Sequence, residues 1–593
     1  MALKQQTYFQ ARHTLQSTAK GWNMKMKRIF ALLTVAVLVT ALASGCNREG
    51  SGASSGPEWE YYTEWQSYSK TTAANPGQTE SNESNAENPN ASGGSNEKNT
   101  TKKGSGKNSA PTTAKRTTGT KDKVEGTGEL VVDGLGKDAF ADYSVKGNVT
   151  VSINTSRPTD YDGVFDTFKK LYPNVTLKFD YFSRSGSNDD ATASAEYLTA
   201  KAAAGKLPDV VFDDAGTLPF YVSQGWLYPL DDFVKNDPDF KYIPNNIMKN
   251  YQYVGKLYAL PVQAQYETIL LNLDAMDALN IKEPALDWTV KDYENFLKAG
   301  TTNVYSGAED IFNVIRLFSG TMAPTKDIGL FGYNQASRKF EFAKSFNNSL
   351  DYSWQLRTVP GLEAWYMRNS GTSLNDSDYA KKFGKSNLSD HNMAFKLGKT
   401  LTHSVGTWEC SDFEQSLKFD WQIWPYPQNV KGQMPVHIDH SFMTSTCQNP
   451  KAAFALLRYT SYAVEGNIAR LSMYDKVNKG KYALTSSLYY PVTTSPKVAE
   501  KFNSLPSAGK VEKYLYTNIG NSFRADYFKF VPEFDEIHKQ YIYDPQCKVT
   551  DGIAKANDVM PEAERKANEA MQKAWTEFEA KVKKVQGEFK PKH

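Results

Sequence analysis

Aromatic side chains are abundant in this sequence, and several stand beside planar polar side chains in a combination that suits the binding of a polyol. The chain contains 34 Tyr, 31 Phe and 11 Trp among its 593 residues. Aromatic rings pack against the C–H faces of a sugar, and carboxylate, amide and guanidinium groups offer fixed partners to its hydroxyl groups. The candidate contacts are Arg157, Asp213, Asp214, Gln265, Tyr266, Trp408, Glu409, His437 and Asp439.

A cluster of two histidines and an aspartate raises the question of a metal site. Alternate side chains of a strand point to opposite faces, so His437 and Asp439 share one face and His440 lies on the other. Cys410 stands close to His403 in the sequence, but a nucleophilic cysteine also needs a positioning partner and an oxyanion site, which no pattern indicates. We therefore expect no catalytic residue and no metal ion, and we expect His437 and Asp439 to bind hydroxyl groups.

Motifs for nucleotides and other cofactors are missing from the sequence. It has neither a Gly-x-x-x-x-Gly-Lys-Ser/Thr loop nor a Gly-x-Gly-x-x-Gly fingerprint, so we expect no cofactor. The net charge is +3, but the first 46 residues hold six basic and no acidic side chains, and the remainder carries a small negative charge. Nucleic acid is therefore not an expected partner. Residue counts leave open a pair of carboxylates for glycoside hydrolysis.

The elements that must position these side chains alternate between strands and helices. The hydrophobic pattern predicts strands at 148–153 and 209–212, a turn followed by a strand over 172–180, and helices at 162–171 and 191–204. This β-α-β-α-β order predicts a parallel sheet with helices on both faces. Ligands of such sheets lie at the carboxyl ends of the strands. Arg157 follows the first of these strands, and Asp213 and Asp214 follow the third.

A series of short motifs follows in a fixed order along the rest of the chain. They are Gly205-Lys-Leu-Pro-Asp-Val-Val-Phe212, Gly225-Trp-Leu-Tyr-Pro-Leu-Asp-Asp-Phe233, Gly255-Lys-Leu-Tyr-Ala-Leu-Pro261, Ile269-Leu-Leu-Asn-Leu-Asp274, Val405-Gly-Thr-Trp408 and Phe419-Asp-Trp-Gln-Ile-Trp-Pro-Tyr-Pro427. The series resembles the family 1 extracellular solute-binding proteins, the sugar-binding lipoproteins of ABC importers. The resemblance covers about residues 147 to 585, and the order of the motifs carries it more than any single one.

The resemblance implies an α/β fold of the type II periplasmic-binding-protein kind, in which two discontinuous lobes are joined by hinge strands and close around a ligand. Pro261 suits a chain that leaves one lobe for the other, because proline interrupts a regular strand ladder. Pro425 and Pro427 are expected to mark the return. The expected lobes are 147–263 plus 423–468 and 267–420 plus 470–590.

The place of Trp408 in the family pattern implies that its ring stacks on the ligand, with Glu409 beside it. The resemblance implies a monomeric binding protein that captures a carbohydrate, an oligosaccharide, and delivers it to an ABC permease without covalent chemistry. Two other functions stay open at this point. One is a secreted glycan-active hydrolase or lyase, and the other is a sensory or structural surface lipoprotein.

The N-terminus has the pattern of an export signal over residues 1–46. Residues 24–28 hold three basic side chains, and residues 29–43 form an apolar run that is too short for a comfortable membrane span. Ala43-Ser-Gly-Cys46 resembles a bacterial lipobox, although Ala43 stands where leucine is usual. The resemblance implies that Cys46 is diacylated and holds the protein at the outer face of the cell membrane. The alternatives are an ordinary secretory signal cut near Ala43 and an uncleaved anchor.

Residues 47–127 connect this signal to the rest of the chain. Ser, Gly, Asn, Thr, Lys, Glu and Pro dominate the segment. Such a composition buries too little apolar area to offset the loss of chain entropy on folding. We therefore predict a disordered tether.

Two features of the C-terminal part of the chain complete the expectations. Residues 561–580 predict a helix with Pro561 in its first turn and an apolar stripe that docks on a lobe. Cys410, Cys447 and Cys547 are expected to be separate thiols, and a bridge between Cys410 and Cys447 stays open.

Overall fold

The computed structural model describes residues 140–591, apart from 155–161, 183–189, 214–217, 303, 309–311, 358–392, 474–488 and 526–530. The predicted signal, Cys46 and the tether lie outside the described residues, as do Arg157 and Asp214. Within the described residues, no helix is both long and apolar enough to cross a membrane. Cys410, Cys447 and Cys547 form no disulfide, as expected for separate thiols.

The described strands form one large sheet and two small hairpins. They are β1 Gly147–Asn154, β2 Val175–Phe182, β3 Val210–Asp213, β4 Gln252–Tyr253, β5 Lys256–Leu257, β6 Leu260–Asn272, β7 Ser306–Ala308, β8 Tyr333–Asn334, β9 Lys339–Phe340, β10 Thr400–Gly406, β11 Trp421–Pro425, β12 Pro435–Met443 and β13 Phe523–Arg524. The large sheet has the order β2-β1-β3-β12-β6-β10-β7, with β11 paired to β6 and β13 paired to β12. The hairpins are β4–β5 and β8–β9.

Helices flank the strands along the whole described chain. They are α1 Asp162–Leu171, α2 Asp190–Ala203, α3 Leu218–Ser223, α4 Asp231–Val234, α5 Asn245–Met248, α6 Leu273–Ala278, α7 Val290–Gly300, α8 Phe312–Thr321, α9 Phe346–Arg357, α10 Met393–Lys396, α11 Cys410–Ser416, α12 Pro450–Ser461, α13 Val464–Ser472, α14 Pro496–Ser504, α15 Lys510–Thr517, α16 Phe534–Ile537, α17 Tyr543–Thr550 and α18 Ala556–Glu588. The fold is therefore a mixed α/β architecture around a central sheet.

The predicted parallel unit is confirmed. β1 pairs in parallel with β2 on one side and with β3 on the other, and α1 and α2 connect them. Helix α1 packs on the sheet because Val164, Phe165 and Phe168 recur at helical spacing and are buried. The ring of Phe165 lies 5.8 Å from that of Phe212 on β3. The carboxyl ends of β1 and β3 therefore lie side by side.

Strand β6 joins two groups of strands within the large sheet. Its first half, up to Tyr266, pairs antiparallel with β12, and its second half, from Glu267, pairs antiparallel with β10 and β11. Pro261 is the second residue of β6, where the predicted crossing begins. β11 pairs with the second half of β6, whereas β12 pairs with the first half. The chain therefore crosses back to the strands beside the first half of β6 between Pro425 and Pro435. The extents of the two lobes stay a prediction.

The C-terminal helix α18 is longer than the predicted segment. It begins at Ala556, so Pro561 lies inside the helix and not in its first turn as we expected. Part of the predicted apolar stripe is buried, namely Ala563, Ala567, Met571, Ala574 and Phe578, whereas Trp575 is half-buried. Met560 and Val582, outside the predicted segment, extend the buried face. The Asn568 side chain accepts a hydrogen bond from the backbone amide of Phe340 and donates one to its carbonyl. The Phe578 ring packs on Tyr253. The helix therefore contacts one segment that precedes β6 in the sequence and one that follows it.

Candidate ligand-binding site

A polar face on β6 and β12 forms the base of the candidate site. The register pairs His437 with Gln265 and Asp439 with Gln263. These four side chains are half-buried, whereas Ala264 between the two glutamines is 1% exposed. Because side chains alternate along each strand, the four polar groups share one face of the sheet. The structure thus brings together three predicted contacts, Gln265, His437 and Asp439.

Gln263 was not among the predicted residues, yet it holds the middle of this face. Its amide nitrogen donates to the carboxylate of Asp439, and its amide oxygen accepts from the guanidinium of Arg470 on α13. The Arg470 guanidinium in turn lies 4.0 Å from the centre of the Tyr489 ring. Strand alternation from Gln265 could have found Gln263. Arg470 lies on a distant helix, and no sequence signal connects it to β6.

A short turn after β10 carries the predicted stacking ring. Gly406 ends β10, and residues Thr407–Glu409 form a 3-10 turn in which the Glu409 carboxylate accepts from the Gly406 amide at 3.3 Å. The Thr407 hydroxyl donates to the Gln265 side chain at 2.9 Å and so ties the turn to β6. The half-buried Trp408 ring lies 5.1 Å from the His437 ring, edge to face.

The strand ends of β1 and β3 meet as the parallel sheet requires. The Asp213 carboxylate accepts from the Ser194 hydroxyl at 3.0 Å and from the Asn154 amide at 3.4 Å. Asp213 is 3% exposed and lies opposite His440 on β12. Its position at the carboxyl edge agrees with the expectation, but one of its oxygens is already bound by the chain itself.

Tyr266 does not belong to the surface of the site. Its side chain is fully buried, its hydroxyl donates to the Leu515 carbonyl at 3.0 Å, and its ring packs on Tyr490 at 5.1 Å. Burial also raises the pKa of its hydroxyl group. Tyr266 faces away from Gln265 because neighbouring residues of a strand point to opposite faces. We therefore remove Tyr266 from the candidate contacts.

His440 is set apart from the other two residues of the His-Ile-Asp-His cluster. The pairing of β12 with β6 shifts between Asp439 and His440, and His440 is 1% exposed with its ring 5.7 Å from that of Tyr251. Among the residues that the structure describes, no group of three or more His, Cys, Asp or Glu side chains is arranged to hold a metal ion.

Comparison with known proteins places the chain in a family. Residues 163–474, more than half of the chain, match the model of the bacterial extracellular solute-binding proteins. The chain belongs to this family. The resemblance recognised from the ordered motifs is therefore confirmed, and this solute-binding protein shares with its family a location outside the cytoplasm and a binding role.

Solved structures of other solute-binding proteins share the fold at low sequence identity. A sugar transporter from Rhizobium etli in an open conformation is 14% identical, with a TM-score of 0.51 over 72% of this chain and 99% of that one. UspC from M. tuberculosis is 15% identical, with a TM-score of 0.50 over 72% of this chain and 100% of that one. An ABC substrate-binding protein from Listeria monocytogenes in complex with cycloalternan is 16% identical, with a TM-score of 0.49 over 75% of this chain and 100% of that one. The likeness to the first two structures shows that this solute-binding protein has the type II periplasmic-binding-protein-like fold.

Proposed function

We propose that this solute-binding protein captures a carbohydrate, specifically an oligosaccharide, between its two lobes and delivers it to the permease of an ABC importer. The observation that carries the proposal is the half-buried Trp408 ring beside the polar face of Gln263, Gln265, His437 and Asp439. An aromatic ring next to planar hydrogen-bonding groups matches the two surfaces of a sugar. The Rhizobium etli structure that shares the fold is described as a sugar transporter, which agrees with this choice of solute.

The charges at the site favour a neutral sugar over an acidic one. Arg470 already binds Gln263 and stacks on Tyr489, and His437 already binds Glu267. The Arg470 guanidinium and the His437 imidazole are thus engaged by the chain itself, and the carboxylate of Asp439 lies on the same face. A sugar carboxylate would meet a like charge there, which is unfavourable in a partly desolvated site.

The remaining parts of the proposal concern the ends of the molecule. We infer from the lipobox pattern that Cys46 carries the lipid anchor at the outer face of the membrane and that residues 47–127 tether the folded body to it. The ligand contacts in the proposal are Trp408, Glu409, Gln263, Gln265, His437, Asp439 and Asp213, together with Arg157 and Asp214, which follow β1 and β3 in the sequence.

Calorimetry of the purified protein against a panel of neutral and acidic oligosaccharides tests the proposal. We expect at least one neutral oligosaccharide to bind, and we expect Trp408→Ala to weaken that binding at least tenfold, because the ring loses its contact with the sugar. Trp226→Ala is the matched control, since Trp226 packs between Phe220 and Tyr221 and should leave affinity unchanged.

Two results would contradict the proposed function. Tight binding of a peptide, with no binding of any sugar in the panel, would reject the carbohydrate. Release of shortened glycans at catalytic protein concentration, followed over time by chromatography, would show a hydrolase or lyase in place of a binding protein.

A further inference from the structure

A buried carboxylate binds the imidazole that packs on the candidate stacking ring. Glu267 is the first residue of β6 that pairs with β10, and its side chain has an exposed fraction of 0%. In the pairing of β6 with β10 it lies opposite Gly406, the residue that begins the turn of Trp408. Its Oε1 atom is 2.9 Å from Nε2 of His437. A carboxylate can only accept a hydrogen bond, so this contact requires a proton on Nε2 and holds the imidazole ring in one orientation.

The indole of Trp408 is held between that imidazole and Gly406. The His437 ring meets the indole at 85°, with the ring centres 5.1 Å apart. A Cβ atom on Gly406 would overlap the six-membered ring of the indole, so the ring rests on the backbone of Gly406. Gly406 has a φ of −80°, which every residue adopts, so the glycine is needed for space and not for backbone freedom.

We propose that Glu267 is a positioning residue for ligand binding, acting on Trp408 through His437. This inference rests on the proposed function, because it assumes that Trp408 is the ring on which the sugar stacks. Glu267 is buried and does not reach the ligand. It acts by holding the stacking ring in its binding orientation before the sugar arrives, and such preorganisation lowers the cost of ordering on binding.

The orientation of Trp408 can be measured without any ligand. Protein labelled with 5-fluorotryptophan gives fluorine NMR signals, and the Trp408 signal is assigned as the one lost in Trp408→Phe. We expect Glu267→Leu, which keeps the volume but cannot accept a hydrogen bond, to shift or broaden this signal. Glu267→Gln keeps an acceptor oxygen and should restore the wild-type signal. A Trp408 signal that is identical in wild type and Glu267→Leu would overturn the proposal.

A matched control separates positioning from a general loss of stability. Thr268 is the next residue of β6, is fully buried and donates its hydroxyl to the Val405 carbonyl at 3.0 Å. Thr268→Val removes that buried hydrogen bond and should lower the thermal midpoint while leaving the Trp408 signal in place. If Glu267→Leu does not fold, Gly406→Ala displaces the same ring by direct overlap, and an unchanged Trp408 signal in that variant would overturn the ring placement.

A double-mutant cycle links the position of the ring to affinity. With the sugar found in the panel, Glu267→Leu should weaken binding about tenfold in the wild-type background and have no further effect in the Trp408→Phe background. Equal losses in both backgrounds would overturn the inference, because Glu267 would then act independently of Trp408. If no sugar binds the wild type while the fluorine signal responds as expected, the proposed function fails, and only the effect of Glu267 on the orientation of the Trp408 ring stands.

Discussion

At the scale of single residues, alternation along two strands accounts for the polar face of the candidate site. Alternation along β12 places His437 and Asp439 on one face, and the register of β12 with β6 adds Gln265 and Gln263 to the same face. The same rule explains why the Tyr266 side chain is buried and does not lie on this face. A residue beside a site residue in the sequence is therefore a poor candidate on a strand, and the residue two positions away is a better one.

We expect one buried histidine away from the site to make the stability of the protein depend on pH. His538 is 3% exposed, its ring lies 4.3 Å from that of Phe331, and burial lowers its pKa to about 4. A lowered histidine pKa contributes stability that is present above the unfolded value of about 6.5 and lost as the pH falls towards 4. We expect a loss of about 3 kcal/mol across this range.

The variant His538→Leu tests this expectation, because leucine has a similar volume and no titrating group. The fall in the thermal midpoint between pH 7 and pH 4 should be smaller in the variant than in the wild type. Titration of the histidine ring protons by NMR gives the pKa directly. An equal acid sensitivity in both proteins would show that other groups govern the response.

At the scale of elements, the β4–β5 hairpin has a turn that its sequence does not favour. Val254 has a φ of 49° and Gly255 a φ of 74°, so both central residues lie in the left-handed region. Turns of this kind favour Asn-Gly, and a β-branched residue is strained there. We expect Val254→Asn to raise the free energy of unfolding by about 1 kcal/mol, measured by chemical denaturation.

The neighbouring glycine supplies a control of opposite sign. A Cβ atom on Gly255 would meet no atom within 4 Å, so Gly255→Ala changes only the backbone preference. This variant should destabilise the protein. A gain in stability from Gly255→Ala would show that the turn does not hold its left-handed conformation in solution.

At the scale of the whole molecule, we expect β6 to be the element on which ligand-driven closure depends. One continuous strand pairs with β12 in its first half and with β10 and β11 in its second, so the two groups of strands share a single backbone. A strand that crosses between two lobes can act as a hinge. We expect the sugar to reduce the radius of gyration measured by small-angle X-ray scattering, with no reduction in Trp408→Ala at the same sugar concentration. An unchanged radius in the wild type at saturation would contradict closure.

The sequence by itself determined the parallel β1–β3 unit, the carboxyl edge where Asp213 lies, and the family. These features follow from local periodicity and from the order of short motifs, which do not depend on distant contacts. Only the tertiary structure decided which polar side chains meet. Arg470 reaches Gln263 from a helix far along the chain, and Glu267 reaches Trp408 through His437. Such contacts arise from strand register and packing between remote segments, and no local pattern records them.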